Sequence, residues 1–189
     1  MRNRIFENSW LPVIVLVLLV PLLALALWAE GRLFLCACGE FQLWVGDTCS
    51  SRNSQQLFDP YSFTHVLHGV LLFWIVALVA KDWKWQFSLA AILESLWEVL
   101  ENTNFIIDRY RAQTAALGYT GDTIINSLGD LFCAIAGFLI ARQLGWSRSL
   151  IMFLLCELVL LFWIHDSLLL QILMLIYPIN GIKLWQMCQ

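Results

Sequence analysis

His65 and His68 stand three residues apart in FTHVLHGV, and Glu94, Glu98 and Glu101 recur at i, i+4 and i+7 in ESLWEVLEN. A third series, Asp122, Asn126 and Asp130, recurs at i, i+4 and i+8. On a helix each of these spacings puts its members on one face. Imidazoles set against carboxylates are a ligand set for zinc, iron or manganese. Carboxylates held close to one another are also a usual source of general acids and bases near neutral pH. The expected roles are catalytic for Glu94, Glu98, Asp122 and Asp130, and metal-ligating for His65 and His68, with a divalent metal as the implied cofactor. Arg109 and Arg111, in FIIDRYRAQ, suit a phosphate headgroup, and Asn126 joins them as a substrate-binding candidate. Each role has a plainer alternative. The histidines could be ordinary hydrogen-bonded residues, the glutamates could lock helix to helix, and the arginines could pair with the carboxylates. No GxSxG, Walker A or HExxH pattern occurs.

The elements that must position these residues are apolar. Of the 189 residues 60% are hydrophobic and only 13% charged, with ten Trp and a mean hydropathy of +0.74. That composition places the chain in the membrane class, as one integral membrane domain over 1–189. A net charge of −3 is too small to imply a nucleic-acid partner, and none is expected; membrane lipids are the expected partners.

Hydropathy predicts an all-α bundle with five or six spans: about 11–28, 64–80, 85–102, 122–141 and 149–164, and a segment over 167–185 that either spans or lies at the interface. Pro178 interrupts that last segment, and six spans are preferred. The first run exceeds a usual signal-peptide core and precedes no good small-x-small site, so it reads as a retained anchor. Polar loops are expected over 30–62 and 103–121. With the N-terminus cytoplasmic, Arg2, Arg4, Lys81, Lys84, Arg142, Arg148 and Lys183 lie inside, against Arg32, Arg52, Arg109 and Arg111 outside. Seven against four favours that orientation. Cys36, Cys38 and Cys49 would then face an oxidising compartment, with one disulfide expected from either neighbour to Cys49. Cys133 and Cys156 lie in apolar runs and read as small hydrophobes.

The same topology sorts the polar residues by depth. His65 and His68 open the second span; Glu101 ends the third, with Glu98 close by and Glu94 about 12 Å deeper. Asp122, Asn126 and Asp130 descend the fourth from its outer end. Glu157 reads as a lone interhelical contact, and His165 with Asp166 as an interfacial edge. Ionisable groups from three helices thus meet in the outer half, where an unpaired charge costs a few kcal/mol. Glu101 is expected to be solvated. Gly129, beside Asp130, allows another backbone to approach.

CACGEFQLW, NSQQLFDPYSFTHVLHGVLLFW, ESLWEVLENTNFIIDRYR, GYTGDTIINSLGD and LLLQILMLIYPINGIKLWQ follow one another in the chain. Together they resemble an uncharacterised bacterial family of small multi-pass inner-membrane proteins, over about residues 36–186. The resemblance implies a location in the bacterial inner membrane and no established activity. The chain departs from the family pattern at Pro60, reading DPYS where a DWYT type of pattern is expected. A weaker likeness to VanZ-like membrane proteins rests on Glu98, Arg109, Asp122, Asn126 and Gly129.

Two functions remain open on this reading. One is a membrane enzyme acting on a lipid or lipid-linked substrate in the outer leaflet, with a polar, metal-binding site. The other is a non-enzymatic scaffold, assembly factor or small transport component whose polar cluster is structural.

Overall fold

The structure is a computed structural model that describes residues 10–114 and 118–187. The described residues form eight helices: α1 (Leu11–Ala29), α2 (Ser62–Val79), α3 (Trp83–Glu101), α4 (Asn104–Gln113), α5 (Ile124–Leu144), α6 (Trp146–Ile164), α7 (Leu168–Ile176) and α8 (Asn180–Gln186). Four of them, α1, α2, α5 and α6, are long and apolar enough to cross a bilayer. At 19 residues α3 is as long but more polar, and it packs against α1, α2 and α5. Short connections fold the long helices back and forth, so the bundle has a hairpin end, with the turns at 80–82 and 145, and a loop end.

Local chemistry fixes the ends. Asp82 caps α3 by accepting from the Lys84 backbone N–H at 2.8 Å, and Thr123 caps α5 through the Asn126 N–H at 3.4 Å. Gly145, at φ 75°, makes the turn between α5 and α6. The first amides of α5 have no partner within the helix. Here the loop supplies them: Thr123 N–H donates to Ser54 O, Ile124 N–H to Leu33 O and Ile125 N–H to Phe34 O. The long loop is therefore docked on the bundle rather than draped over it.

The α2–α5 seam is the closest in the bundle, because glycines sit at the crossing. A Cβ at Gly69 would strike the Ala134 carbonyl, and one at Gly137 the Val66 carbonyl. Gly129 lets the Leu57 carbonyl approach in the same way, as expected for that position. Towards the hairpin end the core is aromatic: Phe73, Phe87 and Phe138 pack edge to face at 5.9 Å.

Three expectations change. Residues 103–121 are not only loop, since Thr103 caps a ten-residue helix, α4, by accepting from Ile106 N–H. Residues 167–185 do not form one helix. Pro178 divides them into α7 and α8, of nine and seven residues, and neither reaches the length of a crossing. The Cys36 disulfide closes on Cys38, not on Cys49.

The division of the last segment also moves Lys183. Its Nζ donates to Ala112 O at 2.6 Å, which puts it at the loop end beside α4. Among the described residues the basic side chains are then Lys81, Lys84, Arg142 and Arg148 at the hairpin end, and Arg32, Arg52, Arg109, Arg111 and Lys183 at the loop end. Arg2 and Arg4 lie outside the described residues.

A candidate polar site at the loop end of the bundle

Three helices bring the polar residues together because they run in alternate directions. His65 and His68 lie in the first two turns of α2, Glu94 and Glu98 in the last two of α3, and Asp130 in the second turn of α5. The His65 Nδ1 lies 2.8 Å from Glu94 Oε1 and 3.2 Å from Glu98 Oε1. His68 Nδ1 approaches the same Glu94 oxygen at 3.2 Å. With a proton on Nδ1 serving Glu94, the second nitrogen of His65, Nε2, is left towards Asp130 Oδ2 at 3.9 Å. Asp130 Oδ1 accepts from Ser62 Oγ at 2.8 Å.

Burial makes this group unusual. Glu98 is 0% exposed, Glu94 2% and Asp130 4%. The 3.2 Å approach of His65 to Glu98 lacks hydrogen-bond geometry, so both Glu98 oxygens are buried without a partner among the described residues. A carboxylate in that state is costly unless a proton or a cation compensates it. Two sets of side chains offer three ligand atoms within 4.8 Å of one another: His65, His68 and Glu94, and His65, Glu98 and Glu101. They share His65, and the second contains the unpartnered carboxylate.

Above this floor opens a cavity of about 440 Å³, whose lining includes His65, Asp130, Glu101, Asp122 and Asp166. Asp122 is held by a reciprocal clasp. Asn102 Nδ2 donates to Asp122 Oδ2 at 2.9 Å, while the Asp122 N–H donates to Asn102 Oδ1 at 2.7 Å. Tyr119 donates its hydroxyl to the other oxygen at 3.0 Å. Burial and the nearby Glu101 nevertheless push the Asp122 carboxyl up to about 7, against the pull of these donors. Burial also carries Asp166 up to about 7, although the Ser167 N–H and the Gln171 amide donate to it.

The remaining candidates sit elsewhere. Arg109 donates from Nε and Nη2 to Leu175 O at 2.9 and 2.7 Å, tying α4 to the end of α7. Arg111 donates to Tyr119 O and lies 3.5 Å from Asp108. Asn126 is buried, its Nδ2 without a partner among the described residues. None of these three lines the cavity.

The family described as "Protein of unknown function (DUF2585)" matches residues 27–188. The chain belongs to that family. The UPF0314 protein of Sphingopyxis alaskensis is 40% identical over 188 residues, spanning 98% of each chain. That of Rhizobium meliloti is 42% identical over 158 residues, 82% of this chain and 80% of its own. That of Brucella anthropi is 40% identical over 162 residues, 85% and 82% of the two chains. No solved structure matches. The VanZ-like pattern gains no support from these matches. Of its residues, Arg109 is engaged away from the cavity that Asp122 lines.

Three site residues escaped the sequence reading. Asn102 ends the quoted ESLWEVLEN, yet only the fold reveals it as the clasp for Asp122. Glu101 is half-buried in the cavity wall rather than solvated. Asp166 faces the cavity from beyond α6, and no periodicity links it to the other acids. Glu157 is structural, as expected for a lone contact: its carboxylate accepts from Leu169 N–H at 3.3 Å, capping α7.

Proposed function

We propose that this DUF2585 member is a multi-pass inner-membrane enzyme with a metal-binding site in the outer half of the bilayer. Its substrate is a lipid or a lipid-linked molecule. The chain crosses five times, through α1, α2, α3, α5 and α6, with its N-terminus cytoplasmic and the loop end outside. Two observations support this orientation. A disulfide at the loop end suits an oxidising compartment. Most loop-end cations are already committed, with Arg32, Arg109, Arg111 and Lys183 on carbonyl oxygens and Arg52 on Glu40.

The metal set is His65, Glu98 and Glu101. The observation that carries it is Glu98, fully buried, with neither oxygen hydrogen-bonded among the described residues, beside two cavity residues that offer ligand atoms. The alternative set is less suited, because Glu94 already accepts from both histidines. Glu94 instead orients His65, as carboxylates do behind metal-bound imidazoles. A zinc, iron or manganese ion there would supply Lewis acidity and an activated water. Asp122, with its raised pKa, is the nearby carboxyl suited to proton transfer. Asp130, hydrogen-bonded by Ser62, completes the floor.

Elemental analysis of the purified protein tests the reading. About one divalent ion per chain is expected, lost in Glu98→Gln and retained in His68→Gln. Cells carrying Glu98→Gln should also show an altered lipid profile by mass spectrometry. Folded wild-type protein without metal, even after reconstitution, sinks the metal site. The Asn102–Asp122 clasp favours the second reading, a non-enzymatic scaffold with a structural network. Under that reading Glu98→Gln changes stability and leaves the lipids alone.

A further inference from the structure

Among the described residues the cavity walls contain no lysine and no arginine. Of the described residues four carboxylates line them, Glu101, Asp122, Asp130 and Asp166, with His65 as the one basic group. Basic residues lie close by, yet each turns its charge into the protein wall. Arg32 donates to Thr120 O, Arg111 to Tyr119 O, Arg109 to Leu175 O and Lys183 to Ala112 O. They hold the rim together with their charges turned away from the interior.

Aromatic surface accompanies the acids. Tyr61, Tyr110 and Tyr119 all line the cavity, and the last two pack edge to face at 5.5 Å. The Tyr119 hydroxyl is already donated to Asp122, which leaves ring surface and carboxylate oxygen as the groups offered to a guest. Carboxylates beside aromatic rings are a receptor for an ammonium group, through charge-assisted hydrogen bonds and cation–π attraction. A phosphate, by contrast, would enter a field of its own sign with no arginine fork to receive it.

We infer that the cavity binds a primary ammonium group, held by Asp166 and Asp122 against the tyrosine rings. This deepens the proposed function by giving its substrate an amine, and it rests on that reading only in taking the cavity as the binding site. The amine could belong to a lipid headgroup or to a free small molecule.

The test uses full-length protein in maltoside micelles, stripped with EDTA and titrated calorimetrically with ethanolamine. Ethanolamine binds and glycerol 3-phosphate does not. Asp166→Asn weakens ethanolamine binding by about tenfold or more and leaves the metal content measured before stripping unchanged. Tyr119→Leu, which removes a ring and its hydrogen bond to Asp122 but no carboxylate, weakens it less. Doping the micelles with phosphatidylethanolamine separates the sources. Competition with ethanolamine identifies a headgroup, and its absence with ethanolamine still bound identifies a free amine. Failure of ethanolamine to bind overturns the inference, as does equal affinity for glycerol 3-phosphate. Wild-type affinity in both folded variants overturns it too. Binding in protein that never held a metal would retain this inference and remove only the metal.

Discussion

The two halves of the bundle are built from the same three helices and differ in almost every buried side chain. At the hairpin end α2 contributes Phe73 and Val76, α3 Phe87 and Ala90, and α5 Phe138 and Ala141, all buried. At the loop end the same helices contribute His65, Glu94, Glu98, Asn126 and Asp130, also buried. The first set holds itself by shape, with aromatic edges on aromatic faces and one Trp74 indole donating to Ser149 Oγ at 3.0 Å. The second holds itself by hydrogen bonds and leaves some demand unmet, at Glu98 and Asn126. A bundle needing only stability could repeat the first half throughout, since apolar packing often replaces buried ion pairs without loss. The contrast teaches that the loop-end half keeps buried ionisable groups at a cost in stability.

The largest expected effect breaks both halves together. Gly137→Leu drives a side chain into the Val66 carbonyl at the α2–α5 seam. It should cost about 3 kcal/mol or more, read as a lowered thermal midpoint in detergent. Phe132→Leu, at a half-exposed position on the same helix, should cost little. Equal behaviour of the two variants would mean that the seam does not set the register of the site. Asn102→Ala comes next and strikes the loop-end half alone. It removes the donor to Asp122 Oδ2 and strands the Asp122 N–H, a loss of about 2–3 kcal/mol. The hairpin-end core, followed by exchange protection of α6, should be spared.

Why the hairpin end was legible and the loop end only partly so follows from what fixes each. Long apolar runs are a local signal, and they located α1, α2, α5 and α6 to within a few residues. The i, i+4 spacing of Glu94 and Glu98 was equally local, and it matched them correctly with His65 and Asp130. Partners supplied by distant chain were invisible. Arg109 takes its acceptor from Leu175, 66 residues on, so no local pattern separates it from a phosphate-binding arginine. Lys183 owes its position to the break at Pro178, after which α8 turns back to the loop end, and Asp166 owes its own to the turn between α6 and α7. Asn102 looked like the end of a helix, which it is; its reach to Asp122 depends on how the chain returns after α4.

A pH series sharpens the comparison further. Asp122 is raised from 3.8 to about 7 by burial and by Glu101. A carboxyl raised in the folded state binds its proton more tightly there than in the unfolded chain. Its contribution to stability is complete below 3.8 and is lost as pH rises through about 7. Between about pH 5 and pH 7 the loss is on the order of 2 kcal/mol. Asp122→Asn should flatten that limb of the stability profile, whereas substitutions at the hairpin end should shift the whole profile without bending it.

The smallest effect belongs to the hairpin end. The Arg142 guanidinium sits over the Trp83 ring, 4.9 Å from its centroid. Arg142→Gln should therefore cost about 0.5–1 kcal/mol, with no change in bound metal or in ethanolamine affinity. The value of this variant lies in that separation. If a substitution at the far end of α5 altered the ligands of the cavity, the two halves would be one coupled unit, and the division between a packed half and a chemical half would fail. Unchanged ligand binding at a slightly lowered thermal midpoint is the outcome that keeps them distinct.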